Sequence, residues 1–232
     1  MSLILNIETA TEVCSVALGK AGEVLSLEEA GEANDHARII TGLVDRCLKT
    51  AGFELRDLSA VAVSTGPGSY TSLRVGASTA KGICYALDLP LIKADTLQAL
   101  AAATLAACRE QKALYCPMID ARRMEVYCAL FDAENKSVMQ TEARVVGETS
   151  FQEYFTSGKT LIFSGNGAAK CREVLKNKRA VFSDVVCSAS HLVALSQDAF
   201  VKAQFVDPAY FVPYYQKPPN ITKPKPKFSF LK

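Results

Sequence analysis

The chain contains no tryptophan, only two histidines, and no CxxC pair among its eight cysteines. Zinc sites are usually built from closely spaced cysteine and histidine ligands, so no zinc centre is predicted. The cysteines lie mostly inside apolar runs, and the first residues show no signal-peptide pattern. We therefore expect buried, reduced thiols in a cytoplasmic protein.

Long apolar runs and a strong charge of one sign are also missing. No run approaches the roughly 20 residues that a membrane-spanning helix needs. The net charge is +2 over 232 residues, which does not predict nucleic-acid binding by the body of the protein. What is present is an ordinary globular composition, 49% hydrophobic and 22% charged, sufficient for one large domain or two modest ones.

Apolar spacing divides the first half of the chain into strands and helices. Three strand-like runs come first, and helical periods follow at about residues 36–51 and 70–87. Asn34 or Asp35 is placed to cap the first helix, and Gly52 is placed to end it. A short β-branched strand precedes the second helix, and a further strand and helix follow it.

From residue 113 the opening pattern starts again. ALYCPMIDARRMEVYCALFD repeats the strand, acidic turn and strand of LILNIETATEVCSVALG, and Ile7-Glu8 aligns with Ile119-Asp120. A duplicated hairpin followed by strand–helix units predicts an α/β protein with two similar lobes. We place these lobes at residues 1–108 and 109–215.

The last segment, residues 216–232, changes abruptly to proline and lysine. Such a composition is typical of an extended, flexible and solvated end. A basic arm that contacts a phosphate backbone is the other interpretation. The lysines concerned are Lys217, Lys223, Lys225, Lys227 and Lys232.

The stretch STGPGSYTSLRVG, residues 64–76, looks like a phosphate-binding loop at the start of a helix. A Walker loop needs a glycine and a lysine where this chain has Thr71 and Ser72. A dinucleotide fingerprint would also need glycine at Thr71. Gly66-Pro67-Gly68 instead predicts a turn, and Ser69 predicts a cap for the helix that follows.

The helix after this turn carries unusually small residues. Glycine inside a helix costs roughly 1 kcal/mol relative to alanine, so Gly76 and Gly82 indicate that another element approaches closely. That element is either part of the same chain or a second protein docked on helices 36–51 and 70–87. The residues assigned to docking are Ile40, Leu43, Cys47, Tyr70, Ser72, Leu73, Gly76, Ala77, Ala80 and Ile83.

Three motifs together resemble the TsaB (YeaZ) family, a bacterial group within the actin/hexokinase-like superfamily. This branch of the superfamily is described as glycoprotease-like. The motifs are IETATEVCSVAL, GPGSYTSLRVG and MIDARRMEVYCALF, in the family's order, and the resemblance spans residues 3–215. The departures are Glu8 for the usual aspartate, Tyr70 for phenylalanine and Ser72 for glycine. The first departure weakens any magnesium role.

This resemblance implies an actin-like, ribonuclease H-like duplicated fold, in which each lobe has a mixed sheet flanked by helices. It implies a non-catalytic partner of TsaD in the threonylcarbamoyladenosine modification of tRNA beside the anticodon, with no required cofactor. The two helices would dock on TsaD, or on a second copy when the chain is alone, and the ATPase TsaE is expected to join them. Contact with tRNA is expected to be indirect or through the basic tail, and no membrane contact is expected.

Catalysis by this chain is not expected. The catalytic relative is expected to hold a metal through two histidines four residues apart on its first helix, whereas here His36 is followed four residues later by Ile40. His36 is instead expected to be a capping or surface residue. A protease would need a base beside its nucleophile, and neither histidine lies in such a motif.

A nucleotide site is the alternative. In actin-like folds two strand turns hold phosphates and a glycine loop receives the adenosine, and backbone amides of such turns bind anions. The chain would then be an ATP-dependent enzyme using turns 8–12, 120–123 and 165–167, or would retain weak, vestigial ATP or ADP binding. The residues assigned to this site are Thr9, Thr11, Asp120, Arg122, Gly165, Asn166 and Gly167.

Overall fold

The computed structural model describes residues 2–31 and 35–217. Asn34 and the tail lysines beyond Lys217, which are Lys223, Lys225, Lys227 and Lys232, lie outside these ranges. Within the described ranges, no helix combines the length and the apolar character needed to cross a membrane.

The first sheet is built from the N-terminal part of the chain. Its strands are β1 (Leu3–Glu8), β2 (Cys14–Lys20), β3 (Glu23–Ala30), β4 (Ala60–Ser64) and β5 (Leu91–Ala94). They lie in the order β3-β2-β1-β4-β5, with β1, β2 and β3 antiparallel and β4 and β5 parallel to β1. The central strand β1 is buried over its whole length.

The second sheet repeats this order. Its strands are β6 (Leu114–Asp120), β7 (Glu125–Phe131), β8 (Ser137–Val145), β9 (Leu161–Ser164) and β10 (Ala180–Phe182), in the order β10-β9-β6-β7-β8. Here β6 takes the place of β1, with an antiparallel hairpin on one side and parallel strands on the other. The predicted duplication and the actin-like fold class are therefore confirmed.

Six α-helices complete the described fold. They are α1 (His36–Ala51), α2 (Tyr70–Leu87), α3 (Thr96–Cys108), α4 (Gln152–Thr156), α5 (Ala168–Cys171) and α6 (Val193–Val201). As predicted, α1 ends at Gly52, whose φ of 75° is left-handed, and Ser69 Oγ accepts the Ser72 N–H at the start of α2. Asp35 precedes α1, but its carboxylate binds Arg38 and makes no cap hydrogen bond.

Two helices cover the sheet of the other half of the chain. Leu97 and Leu100 of α3 pack against Tyr115 of the second sheet. Phe200 of α6 packs against Ile4 in the first sheet. Packing therefore crosses the chain's two halves, and a domain boundary near residue 108 stays a prediction.

Candidate functional site

The glycine–proline loop after β4 turns the chain and aims α2. The Gly66 N–H donates to Thr96 Oγ1 at 3.0 Å, and the Ser69 N–H donates to the Ala10 carbonyl at 2.8 Å. A Cβ at Gly68 would overlap the same carbonyl. The loop therefore lies directly against the β1–β2 turn, and these two amides are engaged by the protein's own chain.

A cavity of about 510 Å³ opens between the β1–β2 turn, the start of α2 and the β6–β7 turn. This volume is in the range of small-molecule sites. Four of the residues assigned to a nucleotide line it, namely Thr11, Asp120, Arg122 and Asn166. The structure thus brings part of the predicted set together, although those residues are far apart in the sequence.

One hydrogen bond crosses this cavity, and others join polar groups on its second-sheet side. Glu12 Oε2 accepts a hydrogen bond from Asn166 Nδ2 at 2.7 Å, and Asn166 Oδ1 accepts the Asp120 N–H at 3.1 Å. Asp120 Oδ1 also accepts from the Arg122 N–H at 2.7 Å and from Lys170 Nζ at 2.5 Å. The acidic residue that a metal or phosphate site would use is therefore already paired.

The other residues assigned to a nucleotide lie outside the lining of this cavity. Thr9 is fully buried and packs against Gly76 of α2. A Cβ at Gly165 would overlap the Met118 carbonyl, and one at Gly167 would lie 2.9 Å from the β6 backbone. Close contact with β6 thus explains both glycines without a ligand.

Glu8 ends β1 and is only 1% exposed. Burial raises the pKa of its carboxyl to about 7, against the smaller opposing effect of hydrogen bonds, chiefly from the Ala10 N–H at 2.6 Å. A buried carboxyl that is partly neutral at pH 7 is a poor ligand for Mg²⁺, which binds carboxylates and keeps several waters.

His36 is buried, with 3% of its surface exposed, so the expectation of a capping or surface residue is wrong. Neither of its ring nitrogens has a hydrogen-bond partner in the described part of the chain. Ile40, one turn later, packs in the core of the first sheet. Among residues 2–31 and 35–217, no three His, Cys, Asp or Glu side chains cluster to hold a metal ion.

Most of the residues assigned to docking attach α1 and α2 to the first sheet. The buried ones are Ile40, Leu43, Cys47, Leu73, Gly76, Ala77 and Ala80, and the half-buried ones are Tyr70, Ser72 and Ile83. The buried ones are not accessible on this chain, so the docking assignment stays a prediction that now extends to exposed residues of the same helices, which we call the outer helix face. We restrict this name to the small exposed residues of the two helices, which are Ala37, Thr41, Thr71, Ser78, Gly82 and Ala86.

The two helical glycines have different surroundings. A Cβ at Gly76 would overlap Thr9 Oγ1, so the close neighbour predicted for Gly76 belongs to the same chain. Gly82 is exposed, and no atom lies within 4 Å of its Cβ position. Packing within the described chain therefore explains the first glycine and not the second.

Sequence reasoning missed the contribution of the C-terminal residues to the cavity. Tyr215, Gln216 and Lys217 line it, and Lys217 Nζ binds Glu125 Oε1 at 2.5 Å. Gln216 and Lys217 belong to the segment 216–232, whose flexibility stays a prediction. The sequence carries no signal for the contact, because it joins residues far apart in the chain.

Comparison with known proteins places the chain in a family. A family model described as "TsaD: tRNA N6-adenosine threonylcarbamoyltransferase" matches residues 30–210. The tRNA threonylcarbamoyladenosine biosynthesis protein TsaB of Haemophilus influenzae is 37% identical over 124 residues, which is 53% of this chain and 51% of that protein. The match therefore spans about half the length of this relative.

Two further proteins match over more of their length. The TsaB of Bacillus subtilis is 26% identical over 200 residues, covering 85% of this chain and 86% of that protein. The solved structure of YeaZ from Pseudomonas aeruginosa has a TM-score of 0.77 at 24% identity and covers 93% of this chain and all of that one. The chain therefore belongs to the TsaD family and, within it, to the TsaB (YeaZ) group.

Proposed function

We propose that this chain is a non-catalytic partner of a TsaD-type transferase in the threonylcarbamoyladenosine modification of tRNA beside the anticodon. Its relatives are named biosynthesis proteins of that nucleoside, and the family model that matches is that of the transferase. The proposed location is the cytoplasm, and no cofactor is required. A TsaE-type ATPase is a further proposed partner, as is a second copy when the chain is alone.

Gly82 is the observation that carries the docking part of this proposal. A glycine inside a helix costs about 1 kcal/mol relative to alanine, and nothing in the described chain approaches this one. Its exposed neighbours along the outer helix face, Ser78 and Ala86, are also small. Small residues let a second helix approach closely, so this face suits a partner helix.

The acidic residues in and near the cavity support a partner role over catalysis. Glu8, at the position of the superfamily's aspartate, is buried and partly neutral at pH 7. Asp120 is paired with Lys170, and Glu12 is hydrogen-bonded to Asn166. These contacts occupy the groups that an ATP-dependent enzyme would need for phosphate and metal.

The test combines pairing with activity. We expect Gly82→Arg to fold normally and to lose co-elution with the transferase, because a long side chain would separate the helices. Ala107→Arg, on the exposed end of α3, is the matched control and should pair as the wild type does. In a reconstituted tRNA modification assay, product should require this chain and should disappear with a catalytically dead transferase.

Two results would contradict the proposal. Normal pairing by Gly82→Arg would place the docking surface elsewhere. If product forms equally without this chain, the chain is not a partner in the modification. Binding of ATP with magnesium, measured by calorimetry, would then favour the enzyme alternative.

A further inference from the structure

The C-terminal segment 209–217 lies along one side of α2. Lys81 Nζ donates to the carbonyl oxygens of Ala209 at 3.3 Å and Phe211 at 3.2 Å. Further along, the rings of Tyr70 and Tyr215 are 4.6 Å apart. These contacts hold the segment on α2 from its middle to its first residue.

Alternate residues of this segment point in opposite directions. Phe211 and Pro213 are buried, so the side chains between and beside them face outward. One turn after Lys81, α2 contributes another exposed ring. The exposed side chains of the segment and this ring of α2 together are called the aromatic ridge. They are Tyr85 (90% exposed), Tyr210 (83%), Val212 (67%) and Tyr214 (47%).

The elements that carry the aromatic ridge contain bases and no acid. Residues 70–87 contribute Arg74 and Lys81, and residues 208–217 contribute Lys217. Asp88 follows the first of these ranges directly, and Asp207 directly precedes the second. Four more lysines and no acid follow in residues 218–232. Because Lys217 is paired with Glu125, Arg74 and Lys81 are the bases of the described residues that supply positive charge beside the ridge.

We propose that the aromatic ridge binds unpaired nucleotides of RNA. Exposed tyrosine rings offer flat faces on which bases stack, and basic side chains beside them attract the phosphates. This combination of charge and aromatic exposure fits a flexible polyanion with aromatic bases. That the RNA is the tRNA substrate rests on the proposed function, whereas the binding surface itself does not.

The ridge and the outer helix face are neighbours on α2. Tyr85 follows Gly82 by three residues and Ser78 by seven, so these side chains lie side by side on the helix. Tyr210, Val212 and Tyr214 lie on the C-terminal segment and belong to the ridge alone. Substitution of Tyr210 therefore tests RNA binding without changing a residue of the outer helix face.

The test measures binding of a fluorescent single-stranded RNA of about twelve nucleotides, within the length that one such surface covers, to the full-length protein. We expect Tyr85→Ala and Tyr210→Ala each to weaken binding about 5- to 150-fold, because each removes a stacking ring. Tyr85→Phe keeps the ring and should bind as the wild type does. A duplex of the same sequence should bind more weakly, because its bases are already stacked.

Charge is tested separately. Arg74→Gln should weaken binding and lower the slope of log affinity against log salt by about 0.7. The control is Lys159→Gln, an exposed lysine that precedes β9 in the other sheet, and it should change neither the affinity nor the slope. Failure of the wild type to bind single-stranded RNA, or unchanged binding by both alanine variants, would overturn the proposal. If the alanine variants lose only their pairing with the transferase, the ridge is a protein contact and the proposal is wrong. Because the assay uses this chain alone, its failure is distinct from failure of the proposed function.

Discussion

Replacing Glu8 with glutamine is expected to stabilise the protein in mildly alkaline solution and to change little in acid. Glu8 is 1% exposed, and burial raises the pKa of its carboxyl from 4.5 to about 7. The Ala10 N–H donates to Glu8 Oε1 at 2.6 Å, and the amide oxygen of glutamine can accept the same hydrogen bond. Glutamine therefore imitates the neutral acid without its titration.

The sign of the effect follows from the raised pKa. Below pH 4.5 the carboxyl is neutral in both the folded and the unfolded protein, and its contribution to stability is fully present. As the pH rises, the unfolded state loses its proton first, so the free energy of unfolding falls until the pH passes about 7. The change is about 1.4 kcal/mol for each pH unit of this interval. The free energy of unfolding of the wild type should therefore fall by about 3 kcal/mol through Glu8.

The measurement is urea unfolding followed by circular dichroism, repeated across this pH interval for the wild type and Glu8→Gln. Asp95, whose pKa burial also raises, is present in both proteins, so the difference between them isolates Glu8. Glu148→Gln, which removes an exposed carboxylate, controls for the loss of one negative charge. A stability difference between wild type and Glu8→Gln that stays constant with pH would refute the reasoning, because Glu8 would then be ionised in the folded protein.

Two other predictions follow from burial. Gly76→Ala should lower the free energy of unfolding by about 1–3 kcal/mol, because its methyl group would overlap Thr9 Oγ1, whereas Gly82→Ala should raise it by about 1 kcal/mol. Urea unfolding checks both, and equal effects would contradict the different surroundings of the two glycines. A thiol reagent should label Cys108 rapidly in the native protein and all eight cysteines after unfolding, because the other seven are buried and only Cys108 is exposed. Fast native labelling of a second cysteine would show that the core opens.

Local signals in the sequence are sufficient for the helices that carry the outer helix face. The bounds of α1 and α2 agree with the predicted 36–51 and 70–87 because short-range chemistry sets them. Gly52 adopts the left-handed conformation that ends α1, and Ser69 supplies the oxygen that caps α2. The duplication was also visible, since alternating apolar residues and an acidic turn recur in both hairpins.

Only the tertiary structure decided which faces of these elements are free. Helical spacing placed Gly76 and Gly82 on one helix, but contact with Thr9 buries the first and leaves the second exposed. The hydrogen bond from Asn166 to Glu12 and the placement of the C-terminal segment on α2 likewise join residues distant in the chain. Caps and periodicity act over a few residues and can be read from the sequence, whereas these contacts depend on how the two sheets and their helices pack together.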